Sequence, residues 1–269
     1  MSSITSHALA AEHCDADVLL DNVRRSLAVR HFALVSGFTA EVGSFIEFIS
    51  ELGKPLTYYG GTEGSHPDHG AIHRVRYDPE GSSRGELHAV DGPLDLHSAQ
   101  SLRDPRPQYF CMLMVDSGWQ DQPFGNNGES VLISWSDAFD LLQARDPEAY
   151  ERTRATLLSD IPFPDGTARP VAYHLEQTRT ENDLGVRLKY DLLDNLRAID
   201  AGSPEAESVA SLCDAAREAS RCFQLQSRDL VIIDNDRFGH GRMPVSGRRT
   251  TMRGEVCHNP RELWSVTLA

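Results

Sequence analysis

The chain has 269 residues, 40 of them acidic and 26 basic, for a formal net charge of −14. That balance argues against a nucleic-acid or anionic-membrane partner, because phosphate binding needs a clustered excess of Lys and Arg. Hydrophobic residues make up 40%, enough for one sizeable core, and the length fits one or two domains of about 150 residues.

From the N-terminus, no basic stretch runs into an apolar one, so no secretory leader is expected. The longest apolar runs, 109–115 and 230–233, fall far short of the ~20 residues of a membrane span. The five cysteines are scattered, with no Cys-x-x-Cys, as free thiols of a reducing cytoplasm would be. Apolar spacing near 3.6 predicts helices over 17–28, through Val18, Leu19, Val23 and Leu27, and over 40–52, through Val42, Phe45, Ile46 and Ile49. Between them, 31–37 reads as a buried strand closed by glycine. Residues 53–93, rich in Gly, Pro, His and charge, read as loop around a strand at 72–77. Strands are predicted at 107–115 and 131–135, then helices at 136–144 and at 147–159, the second capped by Asp146 ahead of Pro147. Short strands at 171–175 and 186–190 flank an Asn-Asp-Leu-Gly turn. A helix at 204–222 precedes strands at 223–225, 230–233 and 250–256. Many short strands beside a few helices predict a mainly β fold with helices packed outside.

Eleven histidines invite a metal reading. Two neutral imidazoles and one carboxylate on a single face of an octahedron form the site of non-haem Fe(II) oxygenases. The proximal His and the carboxylate sit two apart, on one side of an extended segment. His-x-Asp/Glu occurs at His13/Asp15, His66/Asp68 and His174/Glu176, and with so many acids it carries little by itself.

The segment Leu230-Val-Ile-Ile-Asp-Asn-Asp-Arg-Phe-Gly-His240-Gly-Arg-Met-Pro, followed by Arg249 and Arg253, resembles the C-terminal signature of Fe(II)/2-oxoglutarate-dependent oxygenases. The likeness is strongest to the taurine dioxygenase and clavaminate synthase group. Upstream, Leu94-Asp-Leu-His97-Ser-Ala99-Gln resembles the segment of the proximal metal histidine, and Gly128-Glu-Ser130 the Gly-(Asp/Glu)-Thr element. The resemblance implies a double-stranded β-helix core (a cupin-like jelly roll) formed by a single domain over 1–269. It implies Fe(II) held by His97 and His240, and 2-oxoglutarate held by Ser130, Arg249 and Arg253, with O2 as cosubstrate. Arg187, on a strand that often faces substrate in this group, and Arg242 are candidate substrate contacts.

At the position where the group carries its metal carboxylate, this chain has Ala99. Three readings stay open here. In the first, chloride takes the carboxylate's place beside the alanine methyl, as in the radical halogenases the motif resembles. The complex keeps its charge, and halogen is transferred to an unactivated C–H of a small polar metabolite, a free amino acid or a nucleotide-sized compound. Ser98, Gln100 and Arg242 are then candidate polar neighbours of the halide. In the second, a hydroxylase, desaturase or cyclase takes a carboxylate from elsewhere (Asp68, Glu86, Asp91 or Asp95) or works with two histidines alone. In the third, the chain binds 2-oxoglutarate without catalysis.

Overall fold

A computed structural model describes residues 8–58, 64–176 and 180–269. Seven α-helices flank two principal β-sheets, so the fold is rich in sheet with helices outside. The larger sheet has eight strands. Its path runs Leu9–Ala10, Phe32–Ser36, Leu230–Asp234, Tyr109–Asp116, Glu262–Leu268, His69–Arg76 and Ser65–His66, and Pro55–Leu56 also pairs with Glu262–Leu268. The smaller sheet has four strands, in the order Arg221–Phe223, Ser130–Ser134, Phe238–Arg242 and Leu94–His97.

Strand alternation sends successive side chains to opposite faces and so builds three packed layers. Leu34, Phe110, Met112, Val231 and Leu263 of the large sheet meet Leu132 and Phe223 of the small one, and Ala99 just beyond its strand Leu94–His97, forming the core between the sheets. The other face of the large sheet (Cys111, Leu113, Ile232, Trp264 and Val266) is covered by helices Ala16–Arg30 and Val42–Ser50. The outer face of the small sheet, through Ile133, is covered by the helices of 135–219, with Trp135, Phe139, Leu196 and Val209 fully or nearly fully buried.

Local signals hold where they are strong. Helix Ala16–Arg30 starts at Asp15, whose carboxylate accepts from the Asp17 amide, and helix Pro147–Leu157 starts at Asp146, which accepts from Glu148 and Ala149. Elsewhere the structure departs from the reading. Residues 250–256, read as a strand, form the turn of a hairpin between Arg248–Thr250 and Val256–His258. His240-Gly-Arg242, given no element from sequence, lies inside a strand. Glu262–Leu268, not foreseen, is a central strand paired on both sides. Its Ser265 and Thr267 line a cavity, so the segment lacks the apolar run that marked its neighbours.

Candidate metal and oxoacid site

The two sheets enclose a cavity of about 440 Å3, lined among others by His97, Ala99, Ser130, His240, Arg242 and Arg261. His240 stands directly opposite His97 in the antiparallel pair Phe238–Arg242 and Leu94–His97, with ring centroids 4.3 Å apart. Glycines flank His240 because the outward side has no room. A Cβ on Gly239 would lie 2.3 Å from the Trp135 ring, and one on Gly241 would lie 2.7 Å from the Leu94 carbonyl oxygen. Phe110 backs the His240 ring at 4.3 Å, and Tyr190 stands edge-on to His97 at 6.3 Å.

Burial pulls both imidazoles below the ordinary histidine range, and the adjacent His97 pulls His240 further. Both are therefore neutral at physiological pH, with lone pairs to give. His97 Nδ1 lies 2.8 Å from the Asp95 carbonyl oxygen, which puts the proton on Nδ1 and the lone pair on Nε2. His240 Nδ1 is buried without a hydrogen-bond partner among the described residues. This donor set fits a divalent transition metal. Among the described residues no third His, Cys, Asp or Glu completes a metal-binding group. Ala99 is 5% exposed, and its backbone is clamped at both ends by buried Asn235. That side chain accepts from the Ala99 amide at 2.9 Å and donates to its carbonyl at 3.1 Å.

Ser130 stands opposite Arg242 in register, so both share the cavity face with His240. Arg242 donates to the carbonyls of Val90 and Gly92. Arg261 is 3% exposed, and among the described residues it makes no ion pair within 4 Å and has no partner for Nε, although the Glu129 carboxylate acts on it at longer range. Burial, reinforced by the neighbouring Arg242, draws the Arg261 guanidinium down to about 9, and burial draws Arg242 down to about 10. Asp91 and Glu129 offset these two buried guanidiniums in part and at a distance, and the cavity they face suits an anion, because a buried charge without a close partner is costly. Gly128 explains the Gly-Glu-Ser element: its φ is +72°, and a Cβ there would meet Arg261 Cδ at 2.7 Å. Glu129 braces the same turn by accepting from the amides of Gly125 and Asn127.

The structure places Arg249 and Arg253 away from the two histidines. Both lie on or beside the 248–258 hairpin, outside the cavity lining. Arg249 sits over the Trp119 ring at 4.1 Å and pairs with Asp121 at 2.7 Å, while Arg253 is exposed. The hairpin carries them away, and the chain returns twenty-one residues after His240 with Arg261 at the head of the central strand. Arg187 is likewise turned from the cavity into a two-pronged pair with Asp104, at 2.7 and 3.1 Å. Ser98 lines the cavity, but its hydroxyl donates to the Val186 carbonyl. Gln100 lines it too, its amide donating to Thr267.

Of the other carboxylate sources, Glu86 and Asp95 line the same cavity as the two histidines, though among the described residues neither groups with both of them as a metal-binding set, and the rest lie elsewhere. His66 lies against Trp264, on the helix-covered face of the large sheet, and Asp68 beside it is largely exposed. His174 and Glu176 are exposed, Asp91 lies 3.7 Å from Arg248, and the side chain of His13 lies outside what is described. Sequence reasoning missed Arg261, and it missed the His73 and His88 pair in the same cavity. For Arg261 the usable signal was the alternation of Leu263, Ser265 and Thr267 behind it.

No curated protein matches the chain. Among solved structures, asparagine oxygenase in complex with Fe(II), 2S,3S-3-hydroxyasparagine and succinate superposes with a TM-score of 0.64 at 15% identity, covering 93% of this chain and 77% of that one. PvcB of Pseudomonas aeruginosa gives 0.61 at 18% identity over 97% and 82%. The non-haem iron oxygenase OrfP in complex with Fe and alpha-ketoglutaric acid gives 0.61 at 14% over 93% and 79%. At these identities the likeness is one of fold. The profile of one sequence family spans residues 7–254, most of the chain, and on that match the chain belongs to the taurine catabolism dioxygenase TauD, TfdA family.

Proposed function

We propose that this cavity binds Fe(II) through His97 and His240 and a carboxylate of 2-oxoglutarate through Arg261 and Ser130, and that the chain oxidises an aliphatic C–H of a small polar metabolite. The observation that carries this reading is a buried guanidinium with no ion pair within 4 Å among the described residues, Arg261, lining the same cavity as two adjoining neutral imidazoles. Family membership supports it, as do fold relatives that hold Fe, alpha-ketoglutaric acid or succinate. With 2-oxoglutarate and O2, the bound metal supplies the oxidising power for C–H cleavage, and 2-oxoglutarate leaves as succinate and carbon dioxide. The residues do the rest. The Asp95 carbonyl orients His97, Phe110 holds His240, and Gly128 leaves room for the Arg261 stem. The facing sheets support the double-stranded β-helix reading. Because His97, Ser130, His240 and Arg261 come from across the chain, 1–269 reads as one functional unit.

At Ala99 we propose chloride as the anion beside the metal. Replacing a carboxylate by chloride leaves the charge of the complex unchanged, and the methyl is small enough to sit beside the ion. The substrate class is a free amino acid or a nucleotide-sized compound, and the products held by asparagine oxygenase and OrfP are hydroxylated amino acids.

The test is a chloride titration of the anaerobic Fe(II) protein with 2-oxoglutarate, for the wild type and for Ala99→Asp. Chloride tightens 2-oxoglutarate binding several-fold in the wild type and has no effect in the variant. Indifference to chloride in both, or only hydroxylated product at saturating chloride, overturns the halide reading and favours a hydroxylase with two histidines. Absence of iron-dependent succinate release with every substrate tried favours a 2-oxoglutarate-binding protein.

A further inference from the structure

The antiparallel ladder that sets His97 opposite His240 ends at His97, and the chain leaves the sheet at Ser98. Position 99 is therefore not held by the ladder, although it lines the same cavity as both histidines. A side chain holds it instead. Asn235 is fully buried in the turn by which the chain crosses from strand Leu230–Asp234 of the large sheet to strand Phe238–Arg242 of the small one. Its Oδ1 accepts from the Ala99 amide at 2.9 Å, and its Nδ2 donates to the Ala99 carbonyl at 3.1 Å. A strand neighbour in a hydrogen-bonded antiparallel pair makes the same two bonds. The primary amide thus stands in for the missing strand partner.

Asn235 is itself fixed on the other side. Its Nδ2 also donates to the Pro107 carbonyl at 3.2 Å, its backbone amide donates to the Gln108 carbonyl at 2.9 Å, and its carbonyl accepts from Arg106 at 3.1 Å. The residues beside Ala99 are tied as well. The Ser98 amide donates to the Leu188 carbonyl and its hydroxyl to the Val186 carbonyl, both at 2.8 Å. Gln100 has a φ of +44°, in the left-handed region, where a side chain of its kind persists only if its surroundings over-determine it. Its amide donates to Thr267 Oγ1, and its Oε1 accepts from Arg103 at 3.0 Å. The corner at 98–100 is thus held to one backbone path beyond the end of its strand.

We infer that Asn235 is a positioning residue: it fixes residue 99 relative to His97 and His240, and so sets where a third group beside the metal sits. Asn235 and His240 belong to one turn and strand, five residues apart, so the clamp ties the segment of one histidine to that of the other. The single Ala99 N–H is committed to Asn235, so an anion beside the Ala99 methyl receives no donor from that amide. This inference rests on the proposed function, since it takes His97 and His240 as the metal ligands.

A double-mutant cycle between Ala99→Asp and Asn235→Ala tests it, read as Fe(II) affinity in anaerobic titrations without added chloride. With position 99 held, Ala99→Asp supplies a carboxylate beside the metal and tightens Fe(II) by roughly tenfold or more, the scale on which groups around a metal change its affinity. In the Asn235→Ala background the gain shrinks to within about twofold, so the two positions are coupled. A merely structural role would lower stability in both backgrounds and leave the gain intact. Gln100→Gly, which relieves the left-handed strain and keeps the clamp, preserves the gain. Thermal melts check that each variant is folded. Hydrogen exchange on the metal-free wild type needs no variant: the Ala99 amide exchanges roughly a hundredfold or more slowly than in an unstructured chain. An unprotected Ala99 amide, no gain from Ala99→Asp alone, or a gain that survives whole in folded Asn235→Ala overturns the positioning role. Loss of the gain in Gln100→Gly overturns it too, by moving the role to Gln100. Failure of the wild type to bind Fe(II) at all overturns the proposed function instead.

Discussion

The chain carries two groups of arginines after His240, and they meet opposite fates. Arg248, Arg249 and Arg253 belong to a hairpin at the surface, where Arg249 finds a local acid and an aromatic face. Arg242 and Arg261 are buried between the sheets and line a cavity, with no ion pair within 4 Å among the described residues. In the surface group Arg249 is paired where it stands; in the buried group Arg242 leans on the Val90 and Gly92 carbonyls, while Arg261 makes no ion pair within 4 Å among the described residues. The number of arginines near a motif is therefore a poor guide to anion binding. The decisive property is whether the fold has left a charge desolvated and unpaired.

The contrast is sharpest in a pair of variants. Arg261→Met removes one member of a desolvated charge pair, an effect of ~2–5 kcal/mol, so 2-oxoglutarate affinity falls by roughly 30-fold or more in anaerobic titrations. Comparable loss in Arg249→Ala would return the role to the hairpin. Next in size, Gly128→Ala places a side chain at φ +72° and pushes a Cβ into Arg261. It costs ~1–3 kcal/mol of stability in urea unfolding and weakens 2-oxoglutarate binding, although residue 128 presents no charge.

Glu262 adjoins Arg261 in sequence, and strand alternation turns it to the opposite side. It accepts two 2.7 Å bonds from Arg74 and one of 2.9 Å from Trp264. Burial alone raises its carboxyl, but these bonds and charges outweigh it and hold the group below the ordinary carboxylate range. Its contribution is thus present above the unfolded-state value, near 4.3, and disappears as pH falls through the lower folded value. Glu262→Gln is less stable than the wild type at neutral pH, and the gap closes in acid, as urea midpoints across pH will register. A gap independent of pH would mean that packing and not charge holds this pair. The smallest effect is expected from Arg249→Ala itself, which leaves 2-oxoglutarate affinity within about twofold, since exposed ion pairs contribute little.

The helix start at Asp146, the apolar strands at 32–36, 109–116 and 230–234, and His97, Ala99 and His240 as residues of one site, which the structure brings to one cavity, were legible in the sequence. Each rests on spacing or chemistry confined to a few neighbouring residues. Arg261 and the His73 and His88 pair were not, because their meaning lies in what surrounds them. The central strand Glu262–Leu268 escaped for a related reason: its cavity-facing residues are polar, so it does not read as core although both its edges are paired. Only the tertiary structure decided which arginine is desolvated and which is solvated, and which histidine keeps an unmatched nitrogen. Those are properties of burial, set by contacts between segments far apart in the chain, and local pattern has no access to them.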